Sequence, residues 1–247
     1  MKVDSSLGLL GVLLEPTTVV TKAWEQVDAI GRRAFWDPRI VLVTGAGPIG
    51  MLAALLGIQR GLDVHVLDRV DSGLKPDLVR ALGASYHAGT VATVGFRPDI
   101  IVECTGAGPV VSDSIQGVAN GGVICLTGIG SGDRSIGGPT AGEIAAEVVL
   151  RNNVVVGSVN ANKRHWYMAS EALAKADRSW LDRLITRRER RRTSQAPFSG
   201  KMTISRSSFN SPKRRPWTAL SIIHIRYDGW TSKAGKPESD LITSLSE

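Results

Sequence analysis

The sequence predicts an α/β protein built on a doubly wound parallel sheet of six strands. Short apolar runs alternate with helical segments along residues 31–188, and a chain that alternates in this way forms parallel strands with helices on both faces. The first run, residues 40–43, opens directly into a glycine-rich turn at residues 45–50, and a helical segment follows. That order of strand, turn and helix is typical of a Rossmann domain.

Each glycine of this turn has a physical role in binding a dinucleotide. Gly45 permits the sharp turn, Gly47 leaves room for a pyrophosphate beside the backbone, and Gly50 lets the helix pack closely on the sheet. The helix N-terminus offers unpaired N–H groups to the phosphates. Asp68 ends the next apolar run, where a carboxylate accepts hydrogen bonds from ribose hydroxyls. The pattern leaves two alternatives open: a purely structural turn, and a methyltransferase that binds S-adenosylmethionine.

Four further runs predict the rest of the sheet, with an edge strand at 84–86 and buried strands at 99–104, 123–126 and 154–158. Two of these strands are followed by small or polar residues, which are Thr105 with Gly106 and Thr127 with Gly128. An open parallel sheet binds its ligand at the carboxyl ends of its strands. We therefore expect these four residues to lie beside Asp68 at the ligand-binding edge.

A helix is predicted ahead of the sheet, from about residue 19 to residue 32, with its apolar residues on one face. Thr17 or Thr18 is expected to cap its N-terminus, because a hydroxyl at that position accepts a hydrogen bond from a backbone N–H of the first turn.

The composition is that of a globular protein, since hydrophobic residues make up 43% of the 247 residues. No uncharged apolar run reaches about 18 residues, so no membrane-spanning helix is expected. The N-terminus lacks the basic start and the small-residue cleavage site of a signal peptide. Cys104 and Cys125 each lie in an apolar run and are expected to be core thiols, which fits a reduced, cytoplasmic setting.

The net charge of +7 belongs mainly to the end of the chain. Residues 1–188 contain 19 Lys and Arg against 18 Asp and Glu, whereas residues 189–247 contain 11 against 5, together with 11 serines. This basic, serine-rich tail has no sustained periodicity and is predicted to be poorly ordered. A basic arm for nucleic acid or another anionic surface is the alternative, but no aromatic residues alternate with the charges, so a nucleic-acid partner is not expected.

A resemblance to a known family rests on five segments, LLEPTTVVTKAWE, VTGAGPIGMLAA, VECTGAG, VVVGSVNANKRHW and LDRLITRR. In these segments the chain resembles the zinc-dependent glucose dehydrogenases of the medium-chain alcohol dehydrogenase superfamily, and the resemblance covers about residues 7–188. The VVVGSVNANKRHW segment is the most specific of the five, because the glycine-rich turn alone fits many relatives.

The resemblance implies a domain organisation. Residues 1–30 are then a remnant of a catalytic domain with a connecting helix, residues 31–188 are an NAD(P)-binding Rossmann domain, and residues 189–247 are the tail. Members of the family take a Cys or Asp and a His-Glu pair for zinc from a longer N-terminal domain, and no His-Glu pair precedes the Rossmann unit here. Without that domain, apolar residues 9–14 are expected to be exposed, which favours poor solubility or a homo-oligomer.

The resemblance also implies roles for individual residues. The turn Gly47-Pro48-Ile49-Gly50 matches the pyrophosphate site, and Asp68 with Arg69 matches the adenosine-ribose site. The segments that flank the nicotinamide are matched by Thr127, Gly128, Ile129, Ser158, Val159 and Asn160.

Two residues match the family's substrate site. Asn160 also faces the sugar in that family, and Glu15 matches a carboxylate that lies at the catalytic zinc and contacts the substrate. From the residues alone, Glu15 is equally an acid at a helix entry, and Asn160 is equally a turn residue.

The implied activity is that of a glucose 1-dehydrogenase, which transfers a hydride from C1 of an aldose to NAD(P) and gives a lactone, while zinc lowers the pKa of the reacting hydroxyl. Asp68 suits the ribose of NAD and repels a 2′-phosphate, whereas Arg69 suits that phosphate, so NAD with tolerance for NADP is expected. One alternative is a truncated, catalytically inactive dinucleotide-binding domain. Another is a zinc-dependent dehydrogenase of a different polyol or of threonine.

Overall fold

A computed structural model describes residues 5–130 and 139–186. Its strands are β1 (Ile40–Thr44), β2 (Asp63–Asp68), β3 (Ser85–Ala88), β4 (Ile100–Glu103), β5 (Val123–Leu126) and β6 (Val154–Gly157). All pair in parallel, in the spatial order β3-β2-β1-β4-β5-β6. The predicted six-stranded, doubly wound Rossmann sheet is confirmed. The winding reverses between β1 and β4, so a crevice opens there at the carboxyl ends of the strands.

The described residues form seven α-helices, which are α1 (Leu14–Gly31), α2 (Pro48–Ile58), α3 (Leu74–Ala81), α4 (Gly108–Gly117), α5 (Ala141–Leu150), α6 (Lys163–Lys175) and α7 (Arg178–Leu184). Short 3-10 helices span Ser5–Leu13 and Val91–Thr93. The helical segment predicted to follow the glycine-rich turn is present as α2. Pro48 is the first residue of α2, a position where its missing N–H leaves no helical hydrogen bond unmade.

The central strands β1, β4 and β5 are buried on both faces, which is why they read as continuous apolar runs, whereas the edge strands β3 and β6 are partly exposed. One face packs under α1, α2, α6 and α7 in the larger core cluster, and Trp24 is fully buried there. The Trp24 indole N–H donates to the carbonyl of Ala53 at 3.1 Å and so joins α1 to α2. The other face forms a smaller cluster around Leu42 and Ile101.

The start of α1 differs from the prediction. The helix begins at Leu14, so Thr17 and Thr18 lie inside its first turns and do not cap it. Their hydroxyls donate to the carbonyls of Leu13 at 2.6 Å and Glu15 at 2.7 Å. Within a helix, threonine hydroxyls commonly donate hydrogen bonds to carbonyls of the preceding turn. The capping prediction was therefore wrong.

The expected exposure of residues 9–14 was also wrong, apart from Leu9. Leu10, Leu13 and Leu14 are buried in the larger core cluster, whereas about half of the Leu9 side chain is exposed. The segment turns its leucines toward the same core that buries Trp24, so α1 and the sheet share one apolar interior. The division between residues 30 and 31 stays a prediction.

The two cysteines are free, as expected of core thiols. Burial raises the pKa of both Cys104 and Cys125 to about 12, so neither forms a reactive thiolate near neutral pH. Within residues 5–130 and 139–186, no helix is long and apolar enough to cross a membrane. The tail at residues 189–247 lies outside the described residues, so its predicted lack of order stays a prediction.

Candidate functional site

The glycine-rich turn connects β1 to α2 at the centre of the sheet's carboxyl edge. Gly45 has a φ of 92°, a backbone conformation that L side chains rarely adopt, and its N–H donates to the carbonyl of Leu67 on β2 at 2.7 Å. Gly47 is the N-cap of α2 in an extended conformation. The unpaired N–H groups at the start of α2 therefore lie beside the crevice between β1 and β4, where an anionic ligand is favoured.

Gly50 holds this turn closed by packing against its own beginning. A Cβ atom at position 50 would lie 1.8 Å from the carbonyl oxygen of Gly45. The start of α2 thus rests on the backbone of the turn with no space for any side chain. This is the close approach that the spacing of the glycines predicts.

Asp68, at the end of β2, has both carboxylate oxygens occupied by protein donors. Its Oδ2 accepts from the N–H of Ala46 at 2.7 Å and from the Lys75 ammonium at 3.0 Å. Its Oδ1 accepts from the N–H of Arg69 at 2.8 Å and from that of Val70 at 3.3 Å. Asp68 therefore ties the glycine-rich turn to the loop after β2.

The pKa of the Asp68 carboxyl reflects two opposing effects. Burial by itself raises this pKa, but the hydrogen bonds from Lys75 and from the Ala46 N–H outweigh burial and bring it below the ordinary value of 3.8. Asp68 is ionised at neutral pH as a result. Lys75 lies seven residues after Asp68 in the chain, and it was not identified from the sequence as a partner of this carboxylate.

The loop after β2 carries Arg69, which is exposed. The Tyr86 hydroxyl on β3 donates to the carbonyl of Val70 and holds this loop from the other side. Burial, followed by the nearby charge of Asp68, raises the pKa of Tyr86 to about 12, so this hydroxyl keeps its proton. The predicted adenosine end of the site is therefore a loop held in place by hydrogen bonds, with the Arg69 guanidinium at its surface.

A fully buried carboxylate, Glu103, organises the loop after β4. Its Oε1 accepts from the Thr105 N–H at 2.7 Å and also from the Thr105 hydroxyl, and its Oε2 accepts from the Gly106 N–H at 3.0 Å. The Thr44 hydroxyl at the end of β1 donates to Oε1 at 3.3 Å. The sequence led us to expect only a strand residue here, although a lone acid ending an apolar strand was the available signal.

The loops after β4 and β5 lie backbone against backbone. Thr127 donates its hydroxyl to the carbonyl of Glu103 at 2.8 Å, and the Gly128 N–H donates to the same carbonyl at 3.0 Å. A Cβ at position 128 would lie 2.1 Å from the Gly106 nitrogen. Thr105, Gly106, Thr127 and Gly128 are therefore together at one edge, as the sequence predicts, and Ile129 beside them is exposed.

The segment after β6 leaves the sheet at the same edge. Ser158 is buried, and its N–H donates to the carbonyl of Leu126 at 2.9 Å. Within the described part of the chain, its hydroxyl has no hydrogen-bond partner. Val159 and Asn160 are exposed, and Asn160 has a φ of 59°. Asparagine adopts this left-handed conformation more readily than most residues, so Asn160 is a turn residue whatever else it does.

Glu15 lies in the first turn of α1 with its side chain exposed. A catalytic zinc site ordinarily takes about three protein ligands. No group of three His, Cys, Asp or Glu side chains that could hold a metal is found among residues 5–130 and 139–186. The described residues therefore do not fit a zinc site, and the metal-ligand role of Glu15 stays a prediction.

Comparison with known proteins gives one consistent result. A family model described as glucose dehydrogenase C-terminus matches residues 8–204. Glucose 1-dehydrogenase 2 of Vulcanisaeta moutnovskia is 38% identical over 193 residues, which cover 76% of this chain and 55% of that protein. These similarities confirm the resemblance inferred from the five segments. The chain spans about half the length of the curated relatives it matches.

Solved structures agree. The crystal structure of glucose dehydrogenase from Haloferax mediterranei has a TM-score of 0.69 and 30% identity, and the match covers 75% of this chain and 55% of that chain. Another structure of the Haloferax mediterranei glucose dehydrogenase, in complex with NADP, Zn and gluconolactone, has a TM-score of 0.68 and 29% identity, with coverage of 75% and 54%.

Proposed function

The chain belongs to the glucose dehydrogenase C-terminal family, and from that premise we propose that it binds NAD or NADP and serves the chemistry of a glucose 1-dehydrogenase. That reaction transfers a hydride from C1 of an aldose to the nicotinamide ring and gives a lactone. One observation supports the proposal above the others. The turn at residues 45–50 packs so closely that Gly50 admits no Cβ, and it delivers the N-terminus of α2 to the crevice between β1 and β4.

The pyrophosphate is proposed to bind at Gly47, Pro48, Ile49 and Gly50. The N–H groups of the first turn of α2 are unpaired, and the helix dipole adds partial positive charge there. Gly45 and Asp68 hold the turn from behind through their contacts with β2. The protein thus supplies a preformed anion site and needs no charged side chain at the pyrophosphate.

The adenosine ribose is proposed to bind beside Asp68 and Arg69. Because four protein donors already occupy the Asp68 oxygens, a ribose hydroxyl has to compete with Lys75 or with a backbone N–H. Two cations, Arg69 and Lys75, and two carboxylates, Asp68 and Asp71, lie at this end of the site, so their formal charges cancel. Because Lys75 is paired with Asp68, the exposed Arg69 is the group proposed for a 2′-phosphate, and the predicted preference, NAD with tolerance for NADP, depends on it.

Replacing Arg69 by glutamine tests that preference. Titration with reduced cofactor, followed by nicotinamide fluorescence, should show NADPH binding weakened by about tenfold, because a charge-assisted hydrogen bond to phosphate is lost. NADH binding should change little. Arg32→Gln, at the C-cap of α1, removes the same charge away from the loop after β2 and serves as the control. Equal weakening of NADH and NADPH would contradict the role given to Arg69.

The nicotinamide and the sugar are proposed to meet at the loops after β5 and β6. Thr127, Gly128 and Ile129 line one side, and Ser158, Val159 and Asn160 line the other. The exposed amide of Asn160 offers both a donor and an acceptor for sugar hydroxyls. Glu15 is proposed as a further substrate contact, by its match to the family.

Zinc is not part of the proposed dinucleotide site. The described residues offer Glu15 as a ligand candidate and no cluster around it, so no step of the reaction is derived through the metal here. The same observation favours a second candidate function, a dinucleotide-binding domain that holds cofactor without transferring hydride.

One pair of measurements separates these two functions. Glucose-dependent reduction of NADP and NAD by the purified chain with added zinc, abolished by a chelator, supports the dehydrogenase. Binding of NADPH without any glucose-dependent reduction supports the second candidate. Absence of NADPH binding to folded protein would refute both.

Two broader predictions also remain proposals. A cytoplasmic location is proposed on the two free thiols, of which Cys125 is buried and Cys104 is half-buried. A homo-oligomer is proposed on the strongly exposed Val149 and Leu150, which end α5 just before the edge strand β6.

A further inference from the structure

The turn after β6 is tied to α1 by a contact that the proposed chemistry does not use. The ammonium of Lys22 donates to the carbonyl of Val159 at 2.8 Å. The two residues are 137 positions apart in the chain, and Lys22 as a whole is half-buried. A backbone carbonyl in the nicotinamide-flanking segment is therefore held by a cation from outside the sheet.

A second contact holds the other end of the same turn. Asn162 caps α6, and its N–H donates to Nδ1 of the buried His165 at 3.0 Å. Since Nδ1 accepts that bond, the imidazole carries its proton on Nε2, which donates to the Glu25 carboxylate at 2.8 Å. Arg164 donates to the same Glu25 oxygen at 2.7 Å. Glu25 thus anchors the start of α6 through two side chains.

Lys22 and Glu25 stand three residues apart on α1 and therefore share one face of the helix. That helix is itself firmly placed. Trp24 is fully buried and bonds to Ala53 of α2, and α1 also packs against α6 and β5. The two side chains thus connect the turn at residues 158–162 to a helix that has little freedom to move.

The turn needs such support because of its own backbone. Asn160 adopts a φ of 59°, and Val159 and Asn160 are both exposed, so apolar packing does little to fix them. Lys22 acts just before Asn160, and Glu25 acts just after it through His165. The two contacts therefore lie on either side of Asn160.

We propose that Lys22 and Glu25 are positioning residues, which hold Val159 and Asn160 in place for the nicotinamide end of the cofactor. This inference rests on the proposed function. A positioning role differs from a general stabilising role in one respect. It affects binding of the nicotinamide half of the ligand and leaves binding of the adenosine half, at β1 and β2, unchanged.

Lys22→Met tests the inference, with two ligands as probes. One is NADPH, and the other is 2′-phospho-ADP-ribose, which lacks the nicotinamide. Isothermal titration should show NADPH binding weakened by about three- to tenfold, as expected if the turn holds its binding conformation only about a tenth to a third of the time without Lys22, and 2′-phospho-ADP-ribose binding unchanged. Lys22→Arg, which keeps a donor, should restore NADPH binding. Lys175→Met at the far end of α6 is the control and should change neither ligand.

Glu25→Ala provides an independent variant, with Glu171→Ala on the exposed side of α6 as its control. Glu25→Ala should weaken NADPH binding and leave 2′-phospho-ADP-ribose binding unchanged, in protein that circular dichroism shows to be folded. Equal weakening of both ligands, or of neither, in Lys22→Met and Glu25→Ala would overturn the inference while the proposed function stands. Failure of the unmodified chain to bind either ligand would overturn the proposed function and this inference with it.

Discussion

Replacing Gly50 by alanine is the sharpest test of how the turn at residues 45–50 works. The added Cβ would lie 1.8 Å from the Gly45 carbonyl oxygen and 3.0 Å from the Gly45 carbonyl carbon. Contacts of a Cβ below 3.0 Å essentially never occur, so the start of α2 has to retreat from Gly45 by at least 1.2 Å. Both opposing atoms belong to the backbone, and no side chain can rotate away to relieve the clash.

The structure sets the expected size of the effect. Overpacking of a well-packed site typically lowers the free energy of unfolding by about 1–3 kcal/mol. A domain of this size loses about 2–4 °C in melting temperature for each kcal/mol, so the variant should melt about 2–12 °C lower. The retreat also moves the N–H groups of α2 away from the pyrophosphate position, and NADPH affinity should fall by at least about tenfold.

Thermal denaturation followed by circular dichroism measures the first effect, and titration of NADPH fluorescence measures the second. Gly142→Ala is the matched control, because a Cβ in that helical position meets nothing closer than the Thr140 hydroxyl at 3.9 Å. It should leave NADPH binding unchanged and raise the free energy of unfolding by about 0.5–1 kcal/mol. If Gly50→Ala has the same melting temperature as the unmodified chain and binds NADPH equally well, the close approach at Gly50 does not determine the geometry of the site.

Three further predictions concern the turn after β6 and its anchor. The hydrogen bond from His165, followed by the contacts from Arg164, lowers the pKa of Glu25 below 4.5 against the opposing effect of burial. The contribution of Glu25 to stability is therefore complete above pH 4.5 and is lost as the pH falls below it. The gap in melting temperature between the unmodified chain and Glu25→Gln should therefore close on acidification, and a gap independent of pH would contradict this. Asn162→Ala should lower the free energy of unfolding in urea by about 0.5–2 kcal/mol through loss of the α6 cap, and Asn162→Asp should recover most of it. Asn160→Val should destabilise the chain by about 1–2 kcal/mol because of the positive φ, whereas Asn160→Gly should not, and equal melting temperatures for the two variants would argue against strain at this position.

Much of the site was predictable because it is local in the chain. Gly45, Gly47 and Gly50 lie within six residues, and the strand before them and the helix after them are encoded by neighbouring residues. Asp68 followed from the length of one strand–helix–strand unit. Thr105, Gly106, Thr127 and Gly128 were placed at the same edge by the rule that parallel strands end together.

The errors and omissions have a common cause. The predicted cap at Thr17 or Thr18 failed because a threonine hydroxyl serves equally well inside a helix, and local sequence does not distinguish the two uses. The leucines at residues 10–14 were expected to be exposed for lack of a longer N-terminal domain, but distant helices and strands of the same chain cover them. Glu103 looked like an ordinary strand residue until the loops after β4 and β5 were folded around it.

The sequence by itself determined the class of fold, the glycine-rich turn and the family, because these depend on periodicity and on motifs a few residues long. Only the tertiary structure decided what Asp68 bonds to, what Glu103 organises, and that Lys22 and Glu25 reach the turn after β6. Those contacts join residues that the chain separates by up to 140 positions. Local propensities carry no information about such pairs, since their partners are set by the packing of whole helices on the sheet.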